Sequence, residues 1–170
     1  DLSKLQESGW QKPELIKAKG RDGKTDLYGI LYKPTDFDPD KKYPIINHIY
    51  PGPQSGSVRS FGFSAVSSRQ ALAELGFVVV AVNGMGTPGR SKSFHDAYYG
   101  DMGDNTLPDQ ITVMKQLAQK HPWIDIDKAG IYGHSGGGYA SADAILRYPD
   151  FFKVAVSQSG NHDNRNYEAP

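Results

Sequence analysis

The pentapeptide Gly133-His134-Ser135-Gly136-Gly137 has the pattern G-x-S-x-G, between a segment that reads as a strand (128–133) and one that reads as a helix (135–147). That is the context a nucleophile elbow requires. The residues two before and two after the serine must be small so that strand and helix can approach, and the serine oxygen then projects clear of the sheet. Consecutive glycines at 136–138 weaken a helix start by roughly 1 kcal/mol each relative to alanine, so a local rule is broken where chemistry would need it broken. A serine hydroxyl is a weak nucleophile at neutral pH and needs a base and an orienting acid, which in this arrangement follow in the order Asp or Glu, then His. Downstream of Ser135 the only histidine is His162, and the acids ahead of it, Asp143 and Asp150, fall within and just after the helix. Upstream, His48 falls in a strand, His95 in a loop, His121 at a helix end and His134 inside the motif itself. None completes a triad, and Asp163 reads as a loop residue.

The elements that must position this serine follow from periodicity. Segments 14–19 and 27–32 are β-prone and flank Arg21-Asp22-Gly23-Lys24, a hairpin signal. A third strand spans 45–50 and is stopped by Pro51-Gly52-Pro53. Thereafter helices and strands alternate: a helix over 64–75, a strand over 77–82 apolar on both faces, and a helix capped by Thr106 with Leu107, Ile111, Met114 and Ala118 on one side. Pro122 ends that helix, and strands over 128–133 and 152–157 bracket the helix that follows Ser135. The class is α/β: an N-terminal antiparallel hairpin at one edge, then a mostly parallel sheet with helices on both faces. Residues 1–12 are a polar lead-in, and 13–170 belong to one domain.

Composition narrows the function. The chain has 170 residues, 38% of them apolar, which fills one core of ordinary size. Its 19 Lys plus Arg balance 19 Asp plus Glu, so the basic footprint of a nucleic-acid binder is missing. The longest apolar stretch, 76–82, is far short of the ~18 residues of a membrane span. Zero cysteines exclude disulfides, thiolate zinc sites and a cysteine nucleophile, but leave periplasmic, secreted and cytoplasmic locations open. Gly84-Met85-Gly86-Thr87-Pro88-Gly89 matches G-x-G-x-x-G after a strand, yet Pro88 and the polar residues after it do not open a helix, so a dinucleotide site is rejected. The pairs His95-Asp96 and His162-Asp163 read as loop residues rather than metal ligands.

The chain from about residue 13 onward resembles the catalytic domain of the prolyl oligopeptidase family, closest to its dipeptidyl peptidase IV-like branch. The residues that carry the resemblance are Lys42-Tyr43-Pro44, Tyr50-Pro51-Gly52-Pro53, Gly86-Thr87-Pro88-Gly89-Arg90, Asp109-Gln110 and the elbow from Gly133 to Tyr139. The resemblance implies an α/β-hydrolase fold, an N-terminal β-propeller in the intact protein, short peptide substrates and acyl-enzyme chemistry with no metal or organic cofactor. It assigns Ser135 as nucleophile, Gly136 as backbone donor of the oxyanion hole and Tyr50 as the donor whose hydroxyl completes it. The local chemistry agrees, because Pro51 and Pro53 carry no N–H and a side-chain donor would have to substitute. The family's acid and histidine lie in loops after the fold's last strands, so they are expected beyond residue 170 and the chain alone is expected to be inactive. A sheet truncated there would end in an open edge that invites pairing with another copy. Residues 159–167 fall where relatives place aromatics of a proline pocket, but are mostly polar, with Tyr167 the exception. A carboxylesterase of the same fold and a catalytically inactive fragment are the alternatives.

Overall fold

The computed structural model describes residues 2–60, 67–163 and 165. In chain order the elements are helix α1 (Ser3–Glu7), strands β1 (Glu14–Lys19), β2 (Asp26–Tyr32) and β3 (Tyr43–His48), helix α2 (Ser68–Ala73), strand β4 (Val78–Asn83), helices α3 (Lys92–His95) and α4 (Leu107–Lys120), strand β5 (Ile124–His134), helix α5 (Gly136–Arg147) and strand β6 (Phe152–Gln158). They form a six-stranded sheet in the order β1-β2-β4-β3-β5-β6. The pairings β1/β2 and β2/β4 are antiparallel and the other three are parallel, so the hairpin does sit at one edge of a mostly parallel sheet.

Each face of the sheet has its own core. Side chains alternate along a strand, and β4 is apolar at every position but its last, so Val78, Val80 and Val82 pack with α4 and α5 while Val79 and Ala81 face the other way. On that second face α2 supplies Leu72 and Ala73, and Ser67 caps it by accepting the Arg69 N–H. Beside α2 runs an apolar groove of about 620 Å³ over Ile46, Phe77, Tyr132 and Val154. Strand β6 forms the far edge.

Several expectations shift in detail. The hairpin turn is wider than a two-residue Asp-Gly turn: Gly20 N–H donates to the Thr25 carbonyl, and the Asp22 carboxylate gathers the Lys24 and Thr25 N–H groups. The lead-in is not uniformly polar and loose, since it contains α1 and the buried Trp10. His95, expected in a loop, is the last residue of α3. The first three residues of the helix expected over 64–75 lie outside the described residues. Strand β5 begins four residues earlier than its apolar core suggests, with a register shift opposite Pro44/Ile45. Helix α4 is rotated from the expected stripe, burying Gln110, Val113 and Leu117 beside Leu107 and Met114. Thr106 does not cap it through its side chain. It sits at φ 57° and accepts a hydrogen bond from Gln110 instead.

One buried carboxylate ties three of these pieces together. Asp109, in the first turn of α4, is fully buried and accepts from Arg21 N–H at 2.8 Å, from Arg21 Nε and Nη2 at 3.1 Å and from Met85 N–H at 2.8 Å. It thereby joins the hairpin turn, the loop after β4 and the helix. Arg21 is held from the other side by Asp104. Replacing the carboxylate by an amide leaves Arg21 with Asp104 alone and weakens the charge-assisted bonds at a fully buried position. Asp109→Asn is expected to destabilise the domain by about 2 kcal/mol, read from the denaturant midpoint at pH 7. An unchanged midpoint would show that the pair does not hold these elements.

Candidate active site

A single residue joins β5 to α5. Ser135 has φ 57° and ψ −117°, a conformation that residues with a β-carbon rarely adopt and that costs of order 1–3 kcal/mol. The surroundings hold it there. Ser135 N–H donates to the Gln158 carbonyl at 2.8 Å, and the Ser135 carbonyl accepts from Tyr139 N–H at 3.0 Å. The close approach of strand and helix explains the glycines: a β-carbon on Gly133 would lie 2.5 Å from the Ile49 oxygen, and one on Gly137 only 2.0 Å from it. The serine side chain is exposed, at the carboxyl ends of the parallel strands, where open α/β sheets form their binding crevices.

Tyr50 reaches the same place from β3. Ile49 N–H continues the sheet pairing to the Tyr132 carbonyl at 3.0 Å, and Tyr50 N–H donates to Ser57 Oγ at 2.8 Å. The ring then lies against the elbow: a β-carbon built on Gly136 would stand 3.7 Å from Tyr50 Cζ and 3.9 Å from its hydroxyl. Gly136 is the first residue of α5, where helical N–H groups have no intrahelical acceptor and the helix dipole favours negative charge. The Gln54 amide approaches the Tyr50 hydroxyl at 3.4 Å as a donor, which leaves the phenolic proton free to be donated elsewhere. The cleft between them holds about 150 Å³ and is lined by Tyr50, Tyr98, Ser135, Gly136, Tyr139 and Asn161, among others. A phenolic hydroxyl and the first residue of a helix thus lie together beside an exposed serine, a set of groups that could serve a developing oxyanion.

Residues 62–170 match the prolyl oligopeptidase family. The chain belongs to that family. It is 40% identical over 147 residues to dipeptidyl peptidase 8 of Homo sapiens, covering 85% of this chain and 16% of that protein. It is 33% identical over 142 residues to dipeptidyl-peptidase 5 of Porphyromonas gingivalis, covering 84% of this chain and 20% of that protein. A crystal structure from Bacteroides ovatus, provisionally designated a dipeptidyl aminopeptidase IV, superposes with a TM-score of 0.76 at 32% identity, over 85% of this chain and 21% of that one. The chain therefore spans about a fifth or less of the length of these relatives.

A prolyl oligopeptidase-type serine needs a base, and among the described residues no histidine is hydrogen-bonded to Ser135. His48 accepts from Arg69 Nε at 2.7 Å and stacks on Tyr132. His95 is bonded to the Pro53 carbonyl, His121 stacks on Trp123, and His162 Nε2 lies 3.4 Å from Ser157 Oγ. The acids are engaged too: Asp163 pairs with Arg165, Asp143 with Arg147 and Asn105, and Asp96 with Lys92. Gly84, first of the G-x-G-x-x-G pattern, packs on Thr106 rather than opening a helix, since a β-carbon there would stand 2.5 Å from the Thr106 side chain. Of the polar stretch after β6, Ser159 and Asn161 line the cleft, whereas Tyr167 lies outside the described residues. Sequence reasoning missed Ser57, Tyr98 and Gln54, because nothing local marks a side chain whose partner comes from another loop.

Two stability measurements follow. Because glycine tolerates the Ser135 backbone and alanine does not, Ser135→Gly is expected to be more stable than Ser135→Ala by about 1 kcal/mol after the entropy lost to glycine, seen as a higher melting temperature. Equal melting would mean that the elbow is unstrained. Burial and the Arg69 charge push the His48 imidazole down to about 4 from its ordinary 6.5. The unfolded chain takes up this proton below pH ~6.5 while the folded chain resists it until about pH 4, so stability present at neutral pH is lost across that window. His48→Gln should shrink the fall in melting temperature between pH 7 and 4.5, and an unaltered fall would exclude His48 as its source.

Proposed function

We propose that this chain carries the nucleophile and oxyanion hole of a serine peptidase that hydrolyses peptide bonds of short peptides, in the manner of dipeptidyl and acylaminoacyl peptidases. The observation that carries the reading is the Tyr50 hydroxyl standing beside Gly136 at an exposed serine held in a strained turn. Membership of the prolyl oligopeptidase family and 40% identity to a dipeptidyl peptidase support it. In this reading residues 13–170 are the N-terminal part of an α/β-hydrolase catalytic domain. A β-propeller preceding them rests on the resemblance, and self-association of the 170-residue chain is proposed through β6, the last strand of its sheet.

The chemistry follows from the positions. A histidine supplied from outside these 170 residues, oriented by a carboxylate, takes the Ser135 proton as the oxygen attacks the scissile carbonyl. Charge develops on the carbonyl oxygen, and the Gly136 N–H and Tyr50 hydroxyl stabilise it without reorganising. The amine leaves with the proton from histidine, and water then releases the acyl group from Ser135 by the same steps. Without its base the site retains only the contribution of oxyanion hole and binding, so residues 1–170 alone hydrolyse little. The polar Ser159 and Asn161 at the cleft argue against strict selection for proline.

The full-length protein is expected to be labelled at Ser135 by a fluorophosphonate and to cleave dipeptidyl amides. Ser135→Ala should abolish both, and Tyr50→Phe should lower kcat by about 10² to 10³-fold. Equal labelling of the Ser135→Ala protein would remove the serine from this role. Turnover of short-chain esters with none of amides would make the protein an esterase instead.

A further inference from the structure

Prolines suit the loop after β3 to a side-chain donor, but they also create a difficulty. Residues 51–53 contribute three carbonyls and a single N–H group, so internal backbone bonding is sparse: Ser55 N–H reaches the Gly52 carbonyl at 3.3 Å, and the two proline carbonyls are left to other partners. Those two are bonded from outside. The Tyr98 hydroxyl donates to the Pro51 carbonyl, and His95 Nε2 lies 2.6 Å from the Pro53 carbonyl. A carbonyl oxygen only accepts, so the proton is on His95 Nε2, which both the neutral Nε2–H tautomer and the imidazolium provide. Burial, with the Asp104 charge, raises the Tyr98 phenol to about 12, which keeps it a donor.

Both donors belong to the segment between β4 and α4, and that segment is fastened to the core. Phe94 is buried, its carbonyl accepts from Gly86 N–H at 2.8 Å, and the Tyr98 ring lies where a β-carbon on Gly86 would be, 2.0 Å from two ring carbons. Asp104, in the same segment, is paired to Arg21.

We propose that Tyr98 and His95 are positioning residues of the oxyanion hole: by donating to the carbonyls on either side of Gly52 they fix the loop that carries Tyr50 and hold its hydroxyl beside the Gly136 N–H. The assignment rests on the reading of Tyr50 as an oxyanion donor. It makes the segment after β4 part of the catalytic machinery although neither residue need touch the reacting atoms. A donor displaced by as little as an ångström forfeits much of its effect, so loss of either bond acts on kcat.

The test is a double-mutant cycle in the full-length protein, reading kcat and KM on a dipeptidyl amide with the melting temperature as control. Tyr98→Phe keeps the ring that packs on Gly86 and removes only the donor. Tyr98→Phe and His95→Ala are each expected to lower kcat about tenfold with KM nearly unchanged, and His95→Gln, which retains an N–H donor, to recover most of the loss. In a Tyr50→Phe background the same substitutions should cost almost nothing, because they act through the hydroxyl already removed. Losses of equal size in both backgrounds, or none in either, would overturn the positioning role while leaving Tyr50 as donor. A silent Tyr50→Phe would instead overturn the reading of Tyr50 and this role with it.

Discussion

The carbonyl of Ile49 occupies the space that β-carbons on Gly133 and Gly137 would fill, and much of the site depends on that contact. It lets the end of β3 pass against the junction of β5 and α5 at backbone distance. Tyr50, the next residue, is thereby delivered to Gly136, and Ser135 is forced into its strained turn between them. Larger residues at either glycine would separate strand from helix and part Tyr50 from Gly136. The pattern G-x-S-x-G is thus a packing requirement first: its glycines bring two strand ends and a helix start together, and the serine is what remains exposed there.

The rest of the architecture keeps that junction from relaxing. Strand β4 is buried on both faces and its neighbour β3 buries every second residue, which fixes the register of the parallel pairs. Asp109 fastens the edge hairpin and the loop after β4 to the start of α4, and that loop leads into the segment whose side chains meet the proline carbonyls. The Tyr50 loop is also held farther along, at Ser57 and Val58. Asn83, at the end of β4, exchanges two hydrogen bonds with the backbone of Val58, and Arg69 bridges His48 to the Ser57 carbonyl. Preorganised donors stabilise charge only if they do not move when it appears, and this density of bonds around a loop poor in N–H groups meets that condition.

How much of this was readable in advance depended on the range of the interactions. The elbow was, because its glycines and flanking periodicities are adjacent in sequence, and so was the edge hairpin. The reading of Tyr50 as an oxyanion donor rests on the family resemblance, with the prolines as local support. Strand order was not, since placing β4 between β2 and β3 is decided by pairing between distant segments. The rotation of α4 was hidden because Gln110 looks like a surface residue, yet it is buried against Asn47 and the Val82 carbonyl. Thr106 looked like a side-chain cap but adopts a left-handed backbone that a β-branched residue rarely takes. His95 and Tyr98 lie 42 and 47 residues from the carbonyls they meet, and no motif reports such a contact.

The central claim is geometric: one serine and two donors from different elements share a reacting atom. A crystal structure of the full-length protein after reaction with a fluorophosphonate measures this directly. The account predicts phosphorus bonded to Ser135 Oγ, with its phosphoryl oxygen within about 3 Å of both the Gly136 nitrogen and the Tyr50 hydroxyl. A phosphoryl oxygen turned away from both donors, or an adduct on a different residue, would contradict it.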